Sequence, residues 1–143
     1  ITDPYNLGAL IRCAEGAGAH GVIIPKRRNA GLTAVVAKVS SGALEHIPVA
    51  RVSNIPTTLT ELKKHGLWVY GTGLAAAADI YKTDLSGPAV IVIGSEGDGM
   101  GRLVTECCDV VMNIPMLGKT QSLNASAAAA VVLFETVRQR LQK

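Results

Sequence analysis

The sequence predicts an α/β fold with a mainly parallel sheet flanked by helices. Segments with the apolar pattern of buried strands alternate along the chain with segments of helical spacing, which is the order of βαβ units. We expect an aliphatic core, because 48% of the residues are hydrophobic but only 3% are aromatic. A length of 143 residues fits one domain, residues 1–143.

The first predicted elements form a helix–strand–helix–strand series. Helical spacing predicts a helix over residues 7–17 with Asn6 as its N-cap. A short buried strand follows over residues 21–25. A second helix is expected over residues 33–44, although its valines and its glycine are poor helix formers. A strand over residues 48–52 completes this part.

The second half of the chain continues the alternation. An amphipathic helix over residues 56–65 ends at Gly66 and leads into a strand over residues 67–70. The strand over residues 89–93 is the most apolar, so we expect it at the centre of the parallel sheet. The remaining predicted elements are a short helix over 102–107, a strand over 110–114 and the longest helix, over about 122–139.

Composition argues against several classes of protein. Gly, Pro or a charge interrupts every apolar run well before the about 20 residues that a membrane span needs, so we expect a soluble protein.

Cys13, Cys107 and Cys108 have neither a disulfide nor a zinc spacing, which predicts buried thiols in a reducing cytoplasm. We also expect no metal, because His, Asp and Glu form no cluster. The net charge of +3 permits a nucleic-acid partner without requiring one.

The beginning of the chain suggests that it continues upstream. No Met precedes Ile1, and residues 1–4 have the pattern of a strand end that enters a turn. No secretory signal pattern opens the chain. We therefore expect sequence before Ile1, with a further N-terminal domain.

Two nucleotide-binding motifs are matched only in part. Gly118-Lys119-Thr120 resembles the end of a P-loop, but Asn113 stands where that motif needs its first glycine. The segment over residues 94–99 follows a strand, but its spacing is G-x-x-G-x-G rather than the G-x-G-x-x-G of dinucleotide sites. We therefore expect neither a P-loop nor a dinucleotide site.

The candidate site lies where the predicted strands end. Ligands of open parallel sheets bind beyond the carboxyl ends of the strands. In this sequence those ends carry polar, glycine-rich or proline-containing segments, at residues 25–28, 71–73, 94–97 and 115–116. We expect the chemistry of the protein at this edge.

Three groups of polar residues are candidates, and each also has a purely structural explanation. The first runs from Asp3 through Asn6 and Gly8 to Arg12, and the residues alone favour a capped helix with an exposed arginine. The second places Glu96 after the most apolar strand, as a ligand for nearby donors or as a first-turn helix charge. The third contains Ser122 and Asn124 before the longest helix, where such residues are commonly caps.

Together, the three groups closely resemble the SpoU (TrmH-like) family of RNA ribose methyltransferases. The matching pattern is Asp-Pro-x-Asn-x-Gly with Arg four residues later, then Gly-Ser-Glu-Gly-x-Gly, then Ile-Pro-Met-x6-Leu-Asn-x-Ser. The resemblance covers essentially the whole chain. Residues 23–27 and 40–48 are similar to the branch that methylates a guanosine ribose in large-subunit ribosomal RNA.

The resemblance implies a fold in which a deep C-terminal trefoil knot holds S-adenosylmethionine. Because knots are among the rarest topologies, the apolar pattern alone does not predict one. Carried onto this chain, the resemblance implies a cofactor pocket of strand-end and loop residues, namely Thr72, Gly73, Gly94, Glu96, Gly97, Ile114, Met116, Ser122, Leu123 and Asn124.

The resemblance also implies a catalytic set, which is Arg12, Asn6, Glu96, Ser122 and Asn124. An arginine is a poor base by its reference pKa. We therefore expect Arg12 to bind phosphate and to stabilise a developing alkoxide. Asn6 is expected to orient the ribose, and Glu96 to hold Arg12 or Asn6 in place. Ser122 and Asn124 are expected to hold the third loop and the ribose.

The implied partners are RNA and a second copy of the chain. Lys26, Arg27 and Arg28 form a basic cluster, which is either a solvated loop or, together with Arg12, a contact for RNA phosphates. The family acts as a homodimer whose active site is completed across the interface. Two alternatives are a transfer RNA ribose as the target and a catalytically silent RNA-binding module. Retention of all five residues of the catalytic set argues against the silent module.

Overall fold

The computed structural model describes residues 3–26, 31–73, 78–94 and 99–142. The α-helices are α1 (Pro4–Gly16), α2 (Ala34–Val39), α3 (Ile55–Lys64), α4 (Arg102–Cys107) and α5 (Ala125–Leu141). The strands are β1 (Val22–Pro25), β2 (Val49–Val52), β3 (Trp68–Thr72), β4 (Ala78–Asp79), β5 (Ala89–Val92) and β6 (Val110–Asn113). Short 3-10 helices, Ala43–Glu45 and Ile80–Lys82, follow α2 and β4.

The described strands pair in parallel, in two sheets. One sheet joins β1 to β2, with Val22 opposite Val49, and the other has the order β4-β6-β3-β5. In the larger sheet, Tyr70 of β3 lies opposite Ile91 of β5 on one side and opposite Val110 of β6 on the other. Parallel neighbours need crossover connections; α2 lies in the one from β1 to β2, and α4 in the one from β4 to β6. The predicted α/β fold is confirmed.

The position of the most apolar strand differs from the prediction. Within the described residues, β5 is an edge strand of the larger sheet and β3 is an inner strand, so the expectation of a central strand over residues 89–93 is wrong. The side chains of β5 are each only partly buried. Val90 and Ile91 line an apolar cavity of about 320 Å³ together with Ile23 and Ile24 of β1. An apolar strand therefore indicates that other elements pack against its two faces. Such packing occurs at the edge of a sheet as well as at its centre.

The first helix begins earlier than predicted, and its cap is a different residue. The N-cap is Asp3, whose carboxylate accepts a hydrogen bond from the Tyr5 N–H at 2.8 Å, and Pro4 occupies the first turn. Asn6 therefore lies inside the first turn of α1, and its assignment as the N-cap is wrong. Asp-Pro is itself a helix-start signal, since proline lacks the N–H that the first turn leaves unpaired.

Other differences fall at the ends of elements. The helix predicted over residues 33–44 stops at Val39, because the chain turns at Ser41 and Gly42, whose φ values of 53° and 84° are left-handed. The last helix begins at Ala125 rather than at Ser122, with Asn124 as its N-cap. The pattern did not predict β4, which has only two residues and pairs with the end of β6. The remaining predicted elements occur within two residues of their expected ends.

Two clusters of buried aliphatic side chains hold these layers together. The first joins α1, α2 and β1 and contains Leu7, Ile11, Val22, Ile24 and Val36. The second lies beside the larger sheet and contains Tyr70, Ile80, Leu85, Met112 and Val132. α1 runs along α5, with Asn6 beside Ser126 and Gly16 beside the ring of Phe134. The aliphatic core expected from composition is observed.

Four further expectations concern the membrane, the cysteines, the knot and the first residues of the chain. No helix in the described ranges is long and apolar enough to cross a membrane. Cys13, Cys107 and Cys108 are free thiols, each partly buried. The knot depends on the path of segments that include residues 74–77 and 95–98, which lie outside the described residues, and it stays a prediction. The strand end expected over residues 1–4 falls partly on undescribed residues, and its described part is the start of α1.

Candidate active site

A cavity of about 630 Å³ lies at the carboxyl edge of the larger sheet. The ends of β3 and β6, the loop after β6 and the first turns of α5 line it. Eight of the residues predicted for the cofactor pocket lie in its wall, namely Thr72, Gly73, Gly94, Ile114, Met116, Ser122, Leu123 and Asn124. The other two, Glu96 and Gly97, lie outside the described residues. The predicted position at the strand ends agrees with this cavity.

Hydrogen bonds join the ends of the strands that line the cavity. The Thr72 hydroxyl donates to the backbone carbonyl of Val92 at 3.3 Å, and the Gly73 N–H donates to the carbonyl of Met112 at 3.0 Å. These bonds join the ends of β3, β5 and β6. Parallel strands end at one edge, so three short segments far apart in sequence become neighbours there.

At the cavity wall, the backbone of Gly99 and Met100 lies so close to residue 94 that only glycine fits there. A Cβ added to Gly94 would lie 2.7 Å from the carbonyl carbon of Gly99 and 2.9 Å from the Met100 nitrogen. Because backbone atoms cannot shift as a flexible side chain can, only glycine fits without moving a chain segment. The glycine at position 94 therefore has a packing explanation.

The loop after β6 gives the cavity a mixed apolar and polar lining. Ile114, Pro115 and Met116 supply apolar surface, while Ser122 and Asn124 supply hydroxyl and amide groups. The described lining contains no Asp, Glu, His, Lys, Arg, Cys or Tyr. Such a wall suits a ligand with a flat apolar part and polar edges, held by neutral donors and acceptors.

Ser126 joins the first helix to this cavity. Its hydroxyl oxygen lies 3.1 Å from the Oδ1 of Asn6 and 3.3 Å from the Oδ1 of Asn124. The structure thereby brings together two residues of the predicted catalytic set, Asn6 and Asn124. Ser126 was quoted in the third motif but was not predicted as a site residue. No sequence spacing indicates that α1 and α5 lie side by side.

Arg12 does not line this cavity. It is exposed on α1, and it follows Asn6 by six positions, which places the two side chains about 120° apart around the helix. The described lining includes neither Arg12 nor any other cation. The structure of one chain therefore joins Asn6 to the first turn of α5 through Ser126 and leaves Arg12 on a different face of α1.

A basic surface lies where β1 and β2 end. Lys26 is exposed, and the guanidinium of Arg51 donates to its carbonyl oxygen at 3.4 Å. Arg27 and Arg28, predicted with Lys26 as RNA contacts, lie outside the described residues. Arg51 was not predicted, because its nearness to Lys26 follows from the strand register, in which residue 24 lies opposite residue 51.

The resolved pKa shifts lie away from the cavity wall, in the part of the chain that the structure describes. Hydrogen bonds from Arg138 and Gln139 lower the pKa of Glu135. Burial raises the pKa of the Cys108 thiol and, together with Asp84, that of Tyr70. The described residues contain no group of three or more side chains that could hold a metal ion. The described wall thus offers binding and orientation rather than a shifted acid or base.

Comparisons with known proteins agree on one family. The family described as SpoU rRNA Methylase matches residues 1–134. The 23S rRNA (guanosine-2'-O-)-methyltransferase RlmB of Ralstonia nicotianae is 52% identical over 140 residues, which cover 98% of this chain and 56% of that protein. The chain thus spans little more than half the length of this relative.

Solved structures with the same fold include two SpoU-type enzymes. The SpoU methyltransferase AviRb from Streptomyces viridochromogenes, in complex with the cofactor AdoMet, superposes with a TM-score of 0.92 at 31% identity, over 99% of this chain and 58% of that one. The TrmH/SpoU tRNA modifying enzyme of A. aeolicus superposes with a TM-score of 0.90 at 26% identity, over 99% of this chain and 72% of that one.

Proposed function

The chain belongs to the SpoU rRNA methylase family, and we propose that it transfers a methyl group from S-adenosylmethionine to a ribose 2'-hydroxyl of RNA. The target that the comparisons favour is a guanosine of 23S rRNA, since a relative 52% identical is named for that reaction. The observation that carries the proposal is the cavity at the carboxyl edge of the sheet, with eight of the ten expected cofactor residues in its wall.

The described cavity fits S-adenosylmethionine in size, polarity and charge. Its volume of about 630 Å³ lies in the range typical of small-molecule sites. Pro115 and Met116 line the wall and would offer apolar contact to an adenine ring. Gly94, Ile114 and Leu123 also line it, and we expect their backbone groups to bind the polar edges of that ring. The described wall holds no cation, which favours a ligand with a positive sulfonium. A structural neighbour, AviRb, is described in complex with the same cofactor.

The residues of the chain would then orient the ribose and stabilise charge. When bound, the cofactor would supply an electrophilic methyl group on its sulfonium sulfur, with the neutral thioether as the leaving group. The ribose 2'-oxygen would take the methyl group, and its proton would pass to water, since the described wall holds no titratable side chain. Asn6 orients the ribose, and Arg12 binds a phosphate and stabilises the developing alkoxide. Ser122 and Asn124 hold the cofactor loop, and Glu96 holds Arg12 or Asn6 in place.

A homodimer with composite sites, in which each active site takes residues from both chains, accounts for the position of Arg12. Arg12 is exposed and does not line the cavity of its own chain. Exposed aromatic side chains lie on both helices at this surface, with Tyr5 of α1 64% exposed and Phe134 of α5 47% exposed. Burial of such side chains favours association. We infer that two copies meet through α1 and α5 and that Arg12 of each serves the cavity of the other.

The basic surface at the ends of β1 and β2 is the inferred contact for RNA phosphates. Lys26 and Arg51 are exposed there, and Arg27 and Arg28 follow in sequence. Phosphate contacts of this kind position an RNA without reading its sequence. They leave the choice of the target nucleotide to other parts of the protein.

A transfer RNA ribose is the second candidate, because the fold also matches a tRNA modifying enzyme with a TM-score of 0.90. Labelled S-adenosylmethionine, offered with a 23S rRNA transcript or with bulk tRNA, separates the two substrates. We expect label in the 23S rRNA, at one ribose, as a 2'-O-methylguanosine after digestion. Label only in tRNA would favour the second candidate. Cofactor binding without transfer to either RNA would indicate the catalytically silent module.

A further inference from the structure

The loop between β6 and α5 has two parts, and only one of them lines the large cavity. Pro115 and Met116 line the cavity at the beginning of the loop, and the residues from Gln121 to Asn124 line it at the end. Residues 117–120 lie between these two stretches, do not line the cavity and are all exposed. We call residues 117–120, which are Leu-Gly-Lys-Thr, the loop tip.

The chain itself keeps the loop tip beside the cavity. Leu117 directly follows Met116, which lines the wall. Lys119 is two residues away from Gln121, another lining residue, and two residues of extended chain span at most about 7 Å. A macromolecule that reaches a ligand in the cavity therefore comes close to the loop tip.

The loop tip presents one positive charge and one apolar side chain to the solvent. Leu117 is 98% exposed, more than any other large hydrophobic side chain of the described residues. The ion pairs among the described residues do not include Lys119. Within that part of the chain, the charge of Lys119 is therefore not neutralised by a carboxylate and is available to an anion.

The structure gives a second reason why Gly118-Lys119-Thr120 is not the end of a P-loop. In a P-loop, these residues lead directly into a helix whose N-terminus helps to hold the phosphates. In this chain α5 begins at Ala125 and not directly after Thr120. The loop tip therefore lacks the helix end that a nucleotide triphosphate needs, but it still offers a lysine to a single phosphate.

We propose that Lys119 binds a phosphate of the substrate RNA next to the target ribose. This inference rests on the proposed function. Within an RNA chain a ribose has a phosphate on each side, so a phosphate lies close to the cavity when the 2'-oxygen reaches the methyl group. The described wall of the cavity holds no cation. Lys119 supplies the charge from just outside the wall and contributes to binding of the RNA rather than of the cofactor.

A second copy of the chain is the other partner that an exposed leucine fits. The lysine favours RNA, because lysine is depleted in interfaces between proteins, whereas neutralisation of phosphates by Lys and Arg dominates affinity for nucleic acids. Leu117 then packs against a sugar or a base of the bound RNA.

The first test compares three charges at position 119. Lys119→Ala removes the charge, Lys119→Arg keeps it and Lys119→Glu reverses it. The matched control is Lys64→Ala, which removes an exposed lysine just before β3, at the amino end of the sheet. For each variant we would measure the Kd for a 23S rRNA transcript at a series of salt concentrations, kcat and KM for that RNA, and the Kd for S-adenosylmethionine.

We expect Lys119→Ala to raise both Kd and KM for the RNA by about tenfold at low salt, the equivalent of one charge-assisted hydrogen bond. The slope of log affinity against log salt should fall by about 1. The value of kcat at saturating RNA and the Kd for the cofactor should stay unchanged, since the contact is the same before and during the reaction. Lys119→Arg should bind RNA nearly as well as wild type, Lys119→Glu more weakly than Lys119→Ala, and Lys64→Ala as wild type does.

A second test locates the contact on the RNA. A reagent that cleaves RNA is attached to Lys119→Cys, and its cuts are compared with the position of the methylated ribose. Wild type treated with the same reagent is the control, because Cys13, Cys107 and Cys108 are free thiols. We expect new cuts at the nucleotides that adjoin the methylated ribose, and cuts only at distant nucleotides would overturn the proposal.

The contrary results are distinct from one another. Equal RNA affinity and equal salt slope in wild type and Lys119→Ala would overturn the proposal, as would Lys119→Glu that binds RNA as well as Lys119→Ala. If Lys119→Ala instead changes only the dissociation of a dimer, measured by sedimentation, the loop tip contacts a second copy and the proposal is wrong. If the wild-type chain methylates no RNA, the proposed function itself fails, and the salt dependence of RNA binding still shows whether Lys119 contacts phosphate.

Discussion

The side-chain oxygen of Asn124 accepts a hydrogen bond from the backbone N–H of Ala127 at 2.8 Å, which caps α5 beside the cavity. The same arrangement occurs on α3, where Asn54 accepts from the Thr57 N–H at 2.9 Å. The two caps are alike in geometry, but only Asn124 lines the large cavity. Comparing variants of Asn124 and Asn54 therefore separates the contribution of a helix cap to stability from its contribution to binding.

Asn124→Ala and Asn54→Ala should each lower the free energy of unfolding by about 1 kcal/mol, because each removes an N-cap. Only Asn124→Ala should also weaken binding of S-adenosylmethionine, since its amide lies in the cavity wall. Urea denaturation measures the first quantity and calorimetry the second. Equal cofactor affinity in the two variants would exclude Asn124 from the binding site.

Gly94→Ala should lower both stability and cofactor affinity. Its Cβ would lie 2.7 Å from the backbone of Gly99, so a wall segment of the cavity has to move, at a cost of about 1–3 kcal/mol. The control is Gly87→Ala, whose Cβ would have no neighbour within 4 Å and which should change stability by less than about 0.5 kcal/mol. A Gly94→Ala protein with wild-type affinity would contradict the close approach at the cavity wall.

The ion pair of Glu135 should make stability depend on pH in the acid range. Glu135 is buried on α5 and accepts from Arg138 at 2.7 and 2.9 Å and from Gln139 at 2.8 Å. The hydrogen bonds from Arg138 are the main cause of its lowered pKa. The stabilisation is therefore complete above the unfolded pKa of about 4.3 and is lost as pH falls through the lower folded pKa.

Glu135→Gln should therefore be less stable than wild type near neutral pH, and the difference should shrink as the solution becomes more acidic than about pH 4. Urea denaturation at a series of pH values measures this. Glu61→Gln is the control, because Glu61 pairs with Lys64 at the surface, where both side chains are more than half exposed and such pairs contribute little. Parallel pH profiles for wild type and Glu135→Gln would refute the contribution of this pair.

Arg12→Ala should lower methyl transfer by about 10²–10³-fold, the usual loss for a charge-stabilising group. Binding of S-adenosylmethionine should change little, because we expect Arg12 to contact the RNA phosphate and the developing alkoxide rather than the cofactor. Arg12→Lys should restore little activity, since it lacks the planar guanidinium. Single-turnover assays measure the rate, and an Arg12→Ala protein with full activity would remove Arg12 from the mechanism.

Mixing Arg12→Ala with Asn124→Ala should restore activity if the site is composite. In an equal, freely exchanging mixture, half of the dimers are mixed and each has one intact site of two, so recovery should approach about one quarter of wild type. The assay needs proof that subunits exchange, for instance from differently tagged chains. No recovery despite exchange would place Arg12 and Asn124 in the site of one chain.

Lys26→Ala and Arg51→Ala should weaken RNA binding and reduce its dependence on salt. Each lost phosphate contact lowers the slope of log affinity against log salt by about 1 and weakens binding uniformly across sequences. Lys64→Ala is the control, because it removes an exposed lysine just before β3, at the amino end of the sheet. An equal change in all three variants would show a general effect of net charge rather than a contact surface.

The sequence by itself determined the class of fold, the order of most elements and the family. Helical and strand periods are local properties, so they predicted β1, β2, α3 and the others to within a few residues. The three motifs are also local, and their order along the chain identified the family. Of the ten residues that the motifs predicted for the cofactor pocket, eight lie in one cavity wall.

Only the tertiary structure decided which of these segments meet. The edge position of β5, the contact of Ser126 with Asn6 and the nearness of Arg51 to Lys26 depend on sheet order, strand register and helix packing. These relationships join residues that are distant in sequence. Local apolar periodicity states which face of an element is covered, but the covering element is chosen by the packing of the whole chain. That is why the sequence predicted candidate residues for the site and not their geometry.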